Sequence, residues 1–182
     1  MTSVVPIKRL DRADGLAVSE KRFLIDPSVR PWSSAKWQEV IAMTDPYPLS
    51  PERAKQALAI APDIQAVRSY ISELETAATA QPEPRASIVM VGMLVDAFPN
   101  SRASGSFIDS ATHDALGMGF TPYDIATACR AIRRTSKFLP SISEFLDACA
   151  KARDTVNTAL YLAEKLAGRI DRARVAVEAG EQ

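Results

Sequence analysis

The chain has 182 residues, which is enough for one domain or for one core with appended helices. Hydrophobic residues make up 47% of it and charged residues 24%, both ordinary for a soluble globular protein. The 22 basic and 22 acidic residues give a formal net charge of zero. No global field therefore attracts the chain to nucleic acid or to an anionic membrane, and such binding requires a local patch.

Apolar stretches are short along the whole chain. The longest, residues 88–97, falls well below the roughly 20 apolar residues that a membrane span needs. The N-terminus also has no apolar run of signal-peptide length. We therefore predict a cytoplasmic protein without a membrane partner.

Residues 1–30 mix charges with scattered aliphatic side chains and show no sustained period. This composition predicts a mobile N-terminal arm, within which a short ordered piece can form near Phe23-Leu24-Ile25. From residue 31 to residue 80 apolar side chains recur at helical spacing. Ser50-Pro51 marks a helix start there, because serine caps a helix and proline suits its first position. Residues 77–84, with Pro82 and Pro84, indicate a linker after this N-terminal helical segment.

The region 84–150 contains two further explicit helix starts. Thr121-Pro122 is followed by Asp124 three residues after the cap, and Ser141 is followed by Glu144 in a capping box. These signals predict a helix over 121–137 and another that begins at 141. Period-two runs bounded by hairpin turns are missing from the sequence, so strands are not expected.

The helix that begins near Ser141 is predicted to continue to about Ala179, with residues 151–182 as a C-terminal extension. Residues spaced alternately by three and four positions form a predicted coiled-coil seam along this helix. They are Leu146, Cys149, Arg153, Val156, Leu160, Ala163, Ala167, Ile170, Arg174 and Val177. The two arginines favour weak self-association over a robust coiled coil. Two arrangements remain open: the helix projects from the domain, or it folds back along the core. The predicted fold is all-α, a compact multi-helix unit with a long C-terminal helix.

Residues that carry enzyme chemistry are sparse. His113 is the single histidine, and neither a zinc set of the usual kinds nor a Ser–His–acid arrangement can be built around it. Cys129 and Cys149 lie among apolar neighbours, which predicts two buried thiols. No glycine-rich phosphate loop is present. We predict no catalytic site, no metal and no cofactor.

Four cations form the best candidate for a binding surface: Arg130, Arg133, Arg134 and Lys137. Their spacing of i, i+3, i+4 and i+7 places all four on one face of the predicted 121–137 helix. The apolar residues of the same segment point largely the other way. Two interpretations remain open, a solvated amphipathic face or a docking surface for an acidic partner or for phosphates.

Three motifs within residues 86–150 occur in a recognisable order. An apolar helix ends in Phe98-Pro99-Asn100, residues 119–124 are Gly-Phe-Thr-Pro-Tyr-Asp, and residues 137–145 are Lys-Phe-Leu-Pro-Ser-Ile-Ser-Glu-Phe. This order resembles the phage replicative-helicase loader/inhibitor family, and similar corners occur in lambda-type helicase loaders. Members similarly carry an aromatic-Pro-Asn after an early helix, and a helix before a Lys-Phe-Pro-Pro-type corner that an acidic residue follows. Leu139 departs from this pattern, as does the longer loop over residues 101–106.

The resemblance implies a phage or prophage replication adaptor that binds the replicative DNA helicase and controls or inhibits its loading. The basic face is then the predicted contact, whereas Phe98, Phe138, Pro140 and Phe145 are assigned to packing. One alternative is a DNA-binding regulator that uses the basic face of the 121–137 helix. Another is a structural phage protein that self-associates through its C-terminal helix.

Overall fold

The computed structural model describes Phe23 and residues 34–45, 48–99 and 105–181. Within these ranges the chain forms seven helices and no strand, which confirms the all-α prediction. In chain order the helices are α1 (Ser34–Thr44), α2 (Pro51–Ile60), α3 (Ile64–Thr79), α4 (Pro84–Asp96), α5 (Gly105–Gly117), α6 (Pro122–Thr135) and α7 (Ile142–Gly180). The long C-terminal helix predicted from the uninterrupted sequence is therefore present as α7.

The chain divides into two compact units. The first unit comprises Met1–Leu24 and Gln81–Ala150, and the second comprises Ile25–Ala80 and Lys151–Gln182. Helix α7 contributes residues 142–150 to the first unit and residues 151–180 to the second. The N-terminal helical segment and the C-terminal extension thus belong to the same unit, although they are far apart in the sequence.

The predicted N-terminal arm, residues 1–30, lies outside the described residues except at Phe23. The Phe23 side chain is buried. Its ring meets Tyr123 of α6 edge-on, with ring centroids 5.5 Å apart, a geometry that aromatic pairs favour. At this position the chain is part of the core of the first unit.

The core of the first unit is built around large side chains. Helix α4 packs against both α5 and α6, and Phe120 and Phe145 are fully buried. The buried cluster consists of Phe23, Ala86, Met90, Val91, Leu94, Ala111, Ala115, Phe120, Ile125, Ala126, Ala128, Cys129, Ile132, Phe145 and Cys149. Both cysteines are free and buried in this cluster, in agreement with the prediction.

A tight connection joins α5 to α6. Gly119 adopts φ +67, a left-handed conformation that glycine tolerates because it has no Cβ. The Phe120 N–H donates to the carbonyl of Ala115 at 3.0 Å, and the Gly119 N–H donates to that of Leu116 at 2.9 Å. This hydrogen-bond pair is a Schellman motif. It turns the chain so that Phe120 enters the core directly before α6 begins.

The second unit has an interior rich in alanine. Its buried hydrophobic residues are Val40, Ala54, Ala57, Ile64, Val67, Tyr70, Leu74, Ala77, Ala152, Val156, Ala159, Ala163, Leu166, Ala167, Ile170 and Ala173. Helix α1 packs against α2. Alanine buries little area per residue but leaves room for helix backbones to approach closely.

The seam of α7 differs from the predicted one at several positions. Cys149, Val156, Ala163 and Ile170 are buried as predicted. Ala167 is also buried as predicted. The other buried positions, Ala152, Ala159, Leu166 and Ala173, each lie one residue before a predicted position. Arg153 is half-buried and Arg174 is exposed, so neither is a seam residue. The prediction was wrong at Arg153, Leu160 and Arg174 because the adjacent alanines carry a weak hydrophobic signal, which helical spacing alone does not distinguish from that of their neighbours.

Polar contacts hold residues 151–181 against the other helices of the second unit. The Arg169 side chain is only 12% exposed and donates to the backbone carbonyl of Thr44 at 2.6 Å and to Asp45 at 2.6 Å. Arg68 on α3 pairs with Asp171 at 3.2 Å, and Lys55 on α2 pairs with Glu181 at 3.1 Å. This part of α7 therefore does not project alone, since it folds back along α1, α2 and α3.

Candidate partner-binding site

Helix α6 carries most of the candidate cations, and its first turn is anchored in the core. The Thr121 N–H donates to the Asp124 carboxylate at 2.9 Å, and the Asp124 N–H donates to the Thr121 hydroxyl at 3.2 Å. This reciprocal pair is the capping box that the sequence indicates. Pro122, Asp124 and Ile125 are all buried. The N-terminal half of α6 is thus enclosed by the first unit.

The C-terminal half of α6 reaches the surface with its cations. Arg130 and Arg133 are half-buried and Arg134 is exposed, whereas Ile132 stays in the core. Arg133 and Arg134 lie in the last turn, where positive charge interacts favourably with the helix dipole. The helix ends at Thr135, and the Ser136 N–H donates to the Ile132 carbonyl at 2.8 Å.

Lys137 lies beyond the end of α6, so the four predicted cations do not share one helix face. The backbone leaves the helix at Ser136, which has φ −98 and ψ 139. Pro140 explains this end, because it cannot donate to the carbonyl four residues earlier and disfavours helix at Leu139. Lys137 nevertheless remains within about 11 Å of Arg134 between Cα atoms, since the chain spans about 3.8 Å per residue.

Phe138 was assigned to packing, and the structure contradicts that assignment. Its side chain is 82% exposed. Leu139 is half-buried and packs against the core cluster of the first unit, and Phe145 provides the fully buried ring of this corner. The other assigned positions are compatible with packing, because Phe98 and Pro140 are half-buried.

A second capping box closes the corner between α6 and α7. Glu144 accepts hydrogen bonds from the Ser141 N–H at 2.7 Å and from the Ser141 hydroxyl at 2.8 Å. The Glu144 N–H donates back to the Ser141 hydroxyl at 3.3 Å. The bond from the backbone N–H, and next the one from the hydroxyl, lowers the pKa of Glu144 below its ordinary value of 4.5. The carboxylate is therefore charged and engaged with the α7 start at neutral pH.

We define the corner surface as Arg130, Arg133, Arg134, Lys137 and Phe138. No acidic residue occurs in the sequence between Asp124 and Glu144. The corner surface therefore combines an exposed aromatic ring with cations and lacks an acidic residue within its own segment. Arginine and aromatic side chains are enriched at protein–protein interfaces. Chemically, this arrangement can bind carboxylates or phosphates beside an apolar group.

Phe138 is the surface residue that the sequence interpretation missed. One signal was available, because Phe138 and Leu139 are adjacent and precede a proline. Proline biases Leu139 toward an extended conformation, in which successive side chains point to opposite sides. One of the two must therefore face solvent when the other packs inward. The assignment of Phe138 to packing did not take this alternation into account.

The single histidine and the possible metal-binding side chains do not belong to the corner surface. His113 is exposed on α5, with its Nδ1 3.4 Å from the carboxylate of the adjacent Asp114. Among the described residues, no group of three or more His, Cys, Asp or Glu side chains could hold a metal ion. The helices of the described ranges also include none with the length and apolarity of a membrane span.

No protein-family model matches the chain, and no match occurs among curated proteins or solved structures. The resemblance to helicase loaders therefore rests on the quoted motifs.

Proposed function

We propose that the chain is a phage or prophage DNA-replication adaptor that binds the replicative helicase and controls its loading. One observation supports this proposal, the corner surface. The N-terminal half of α6 is buried, its C-terminal half carries three arginines, and Lys137 and the exposed ring of Phe138 follow. The loader-like motifs support the identity of the partner. The proposal implies a cytoplasmic protein that acts by binding and not by catalysis.

The geometry suggests how such an adaptor would recognise its partner. Capping boxes at Thr121 and Ser141 fix the helix starts on both sides of the corner. The cations between them would face an acidic surface on the helicase, and complementary charge accelerates encounter and selects the partner. Control of loading then requires that the adaptor bind one state of the helicase ring more tightly than another, which shifts the population of ring states.

Size-exclusion chromatography with light scattering tests the proposal directly. The chain is mixed with the host replicative helicase at moderate salt, and we expect a co-eluting complex whose mass gives the stoichiometry. The variant Arg134→Glu/Lys137→Glu should markedly weaken the complex, because both side chains are exposed and their charge is reversed. Its helicity and melting temperature should remain close to those of the unmodified chain.

A matched control is available on α7. Lys165→Glu/Arg174→Glu makes the same change in charge at two exposed positions of the second unit, and it should leave the complex intact. Equal losses in both variants would show that net charge alone matters. If the helicase does not co-elute with the unmodified chain, the proposal is wrong. Binding to duplex DNA that weakens steeply with salt would then favour the DNA-binding regulator.

A further inference from the structure

Among the described residues of the first unit, Phe138 is the one exposed large aromatic side chain. Fully buried Phe120 and Phe145 show that this unit has room for rings in its core. Phe138 is excluded from that core because Leu139 occupies the inward position at the corner. An exposed ring gains free energy when a partner buries it. Its position among cations makes it the strongest apolar feature of the corner surface.

The chain presents Phe138 from a corner that is held on both sides. Before the ring, the Ser136 N–H is bonded to the Ile132 carbonyl at 2.8 Å. After it, Leu139 packs on the core and Ser141 begins the capping box of α7. A short connection between two fixed points loses little conformational freedom when a partner binds. Phe138 is therefore preorganised as a contact residue.

The surroundings of Phe138 indicate the chemistry of its partner. Lys137 precedes the ring, and Arg134 lies four residues before it in the last turn of α6. If a partner pocket accepts the ring, carboxylates at the rim of that pocket would attract these cations and strengthen binding. Single-stranded nucleic acid typically uses several aromatic rings, on which successive bases stack. Tyr123, the other aromatic residue of α6, is half-buried against Phe23. A single projecting ring among cations fits a protein pocket better.

We infer that Phe138 is the anchor of the corner surface and inserts into an apolar pocket with a carboxylate rim on the replicative helicase. This inference rests on the proposed function, and it adds the residue and the type of pocket that determine affinity. Residues at the centre of an interface that fill a pocket contribute most of the binding energy, whereas charges at its rim mainly affect association rate and salt dependence. Substitution of Phe138 should therefore mainly lower affinity, whereas substitution of the cations should mainly change the association rate and its salt dependence.

Titration of the full chain against the helicase, at two salt concentrations, separates these contributions. We expect Phe138→Ala to weaken Kd by about 30-fold or more with the salt dependence unchanged, and Phe138→Leu to weaken it less. Arg134→Glu/Lys137→Glu should change the salt dependence as well as the affinity. The matched control is Tyr161→Ala, which removes a ring 60% exposed on α7 and should leave Kd unchanged. Circular dichroism of each variant checks that the fold is retained.

The possible failures are distinguishable. If the unmodified chain does not bind the helicase, the proposed function and the anchor are both overturned. If it binds, and Phe138→Ala binds equally well while the charge variant does not, only the anchor is overturned. A loss in Phe138→Ala that Tyr161→Ala reproduces would also overturn it, because the effect would not be specific to the corner.

Discussion

The two units fill their interiors in different ways. In the first unit the largest fully buried side chains include Phe120 and Phe145, whereas in the second they include Leu74, Leu166 and Ile170. The second unit also buries a row of alanines along α7 and adds ion pairs between helices. Hydrophobic stabilisation follows the apolar area removed from water. A few large side chains therefore carry much of the stability of the first unit, while many small contacts share it in the second.

This difference predicts opposite sensitivities to a change in side-chain size. A core that depends on rings is damaged by truncation, because the surrounding side chains do not fully close the cavity. A core that depends on alanine is damaged by enlargement, because closely packed helices must separate or adopt strained rotamers.

The largest expected effect is at Phe145. Its side chain is fully buried in the first unit, so Phe145→Ala should lower the free energy of unfolding by about 3–5 kcal/mol. Denaturant unfolding followed by circular dichroism measures this value. Phe138→Ala is the matched control, because it removes the same ring from an exposed position seven residues earlier in the sequence, and it should change stability by less than about 0.5 kcal/mol. Similar losses in the two variants would contradict the assignment of Phe145 to the core and of Phe138 to the surface.

A smaller effect of the opposite kind is expected at Ala163 in the second unit. This residue is fully buried in the seam of α7, and Ala163→Leu should lower the free energy of unfolding by about 1–3 kcal/mol through overpacking. Gly168→Ala on the same helix is the control. A Cβ at Gly168 would meet no atom within 4 Å, so this variant should gain up to about 1 kcal/mol from helix propensity. A stabilised Ala163→Leu variant would show that the seam holds unfilled space.

The smallest effect is expected at Glu144, in the corner between α6 and α7. Because two hydrogen bonds from Ser141 hold the pKa of Glu144 below 4.5, the folded state favours the carboxylate. The contribution of Glu144 is therefore fully present above its ordinary pKa of 4.5 and is lost as pH falls through the lower folded pKa. The difference in unfolding free energy between the unmodified chain and Glu144→Gln, measured from pH 6 to pH 3, should decrease as pH falls. A difference independent of pH would contradict the capping role.

Local chemistry was sufficient to locate several helix starts. Ser50 accepts a hydrogen bond from the Arg53 N–H, and Thr121 and Ser141 form their capping boxes with residues three positions away. Each of these interactions joins residues close in sequence, so it can be recognised without knowledge of the fold. The same locality explains why three of the four predicted cations lie on one helix. Lys137 was misplaced because the helix was expected to continue to Lys137, whereas it ends at Thr135.

The sequence by itself determined that the chain is helical, where several helices begin, and that α7 is long. The tertiary structure decided which residues of α7 are buried, because Ala152 or Arg153 and Ala159 or Leu160 satisfy helical spacing almost equally well. It also decided that residues 151–180 pack with α1, α2 and α3, contacts between segments that no local signal connects. At the corner, it decided that Leu139 faces the core and Phe138 faces solvent, since only the packed neighbours of α6 and α7 determine which of two adjacent apolar side chains is buried.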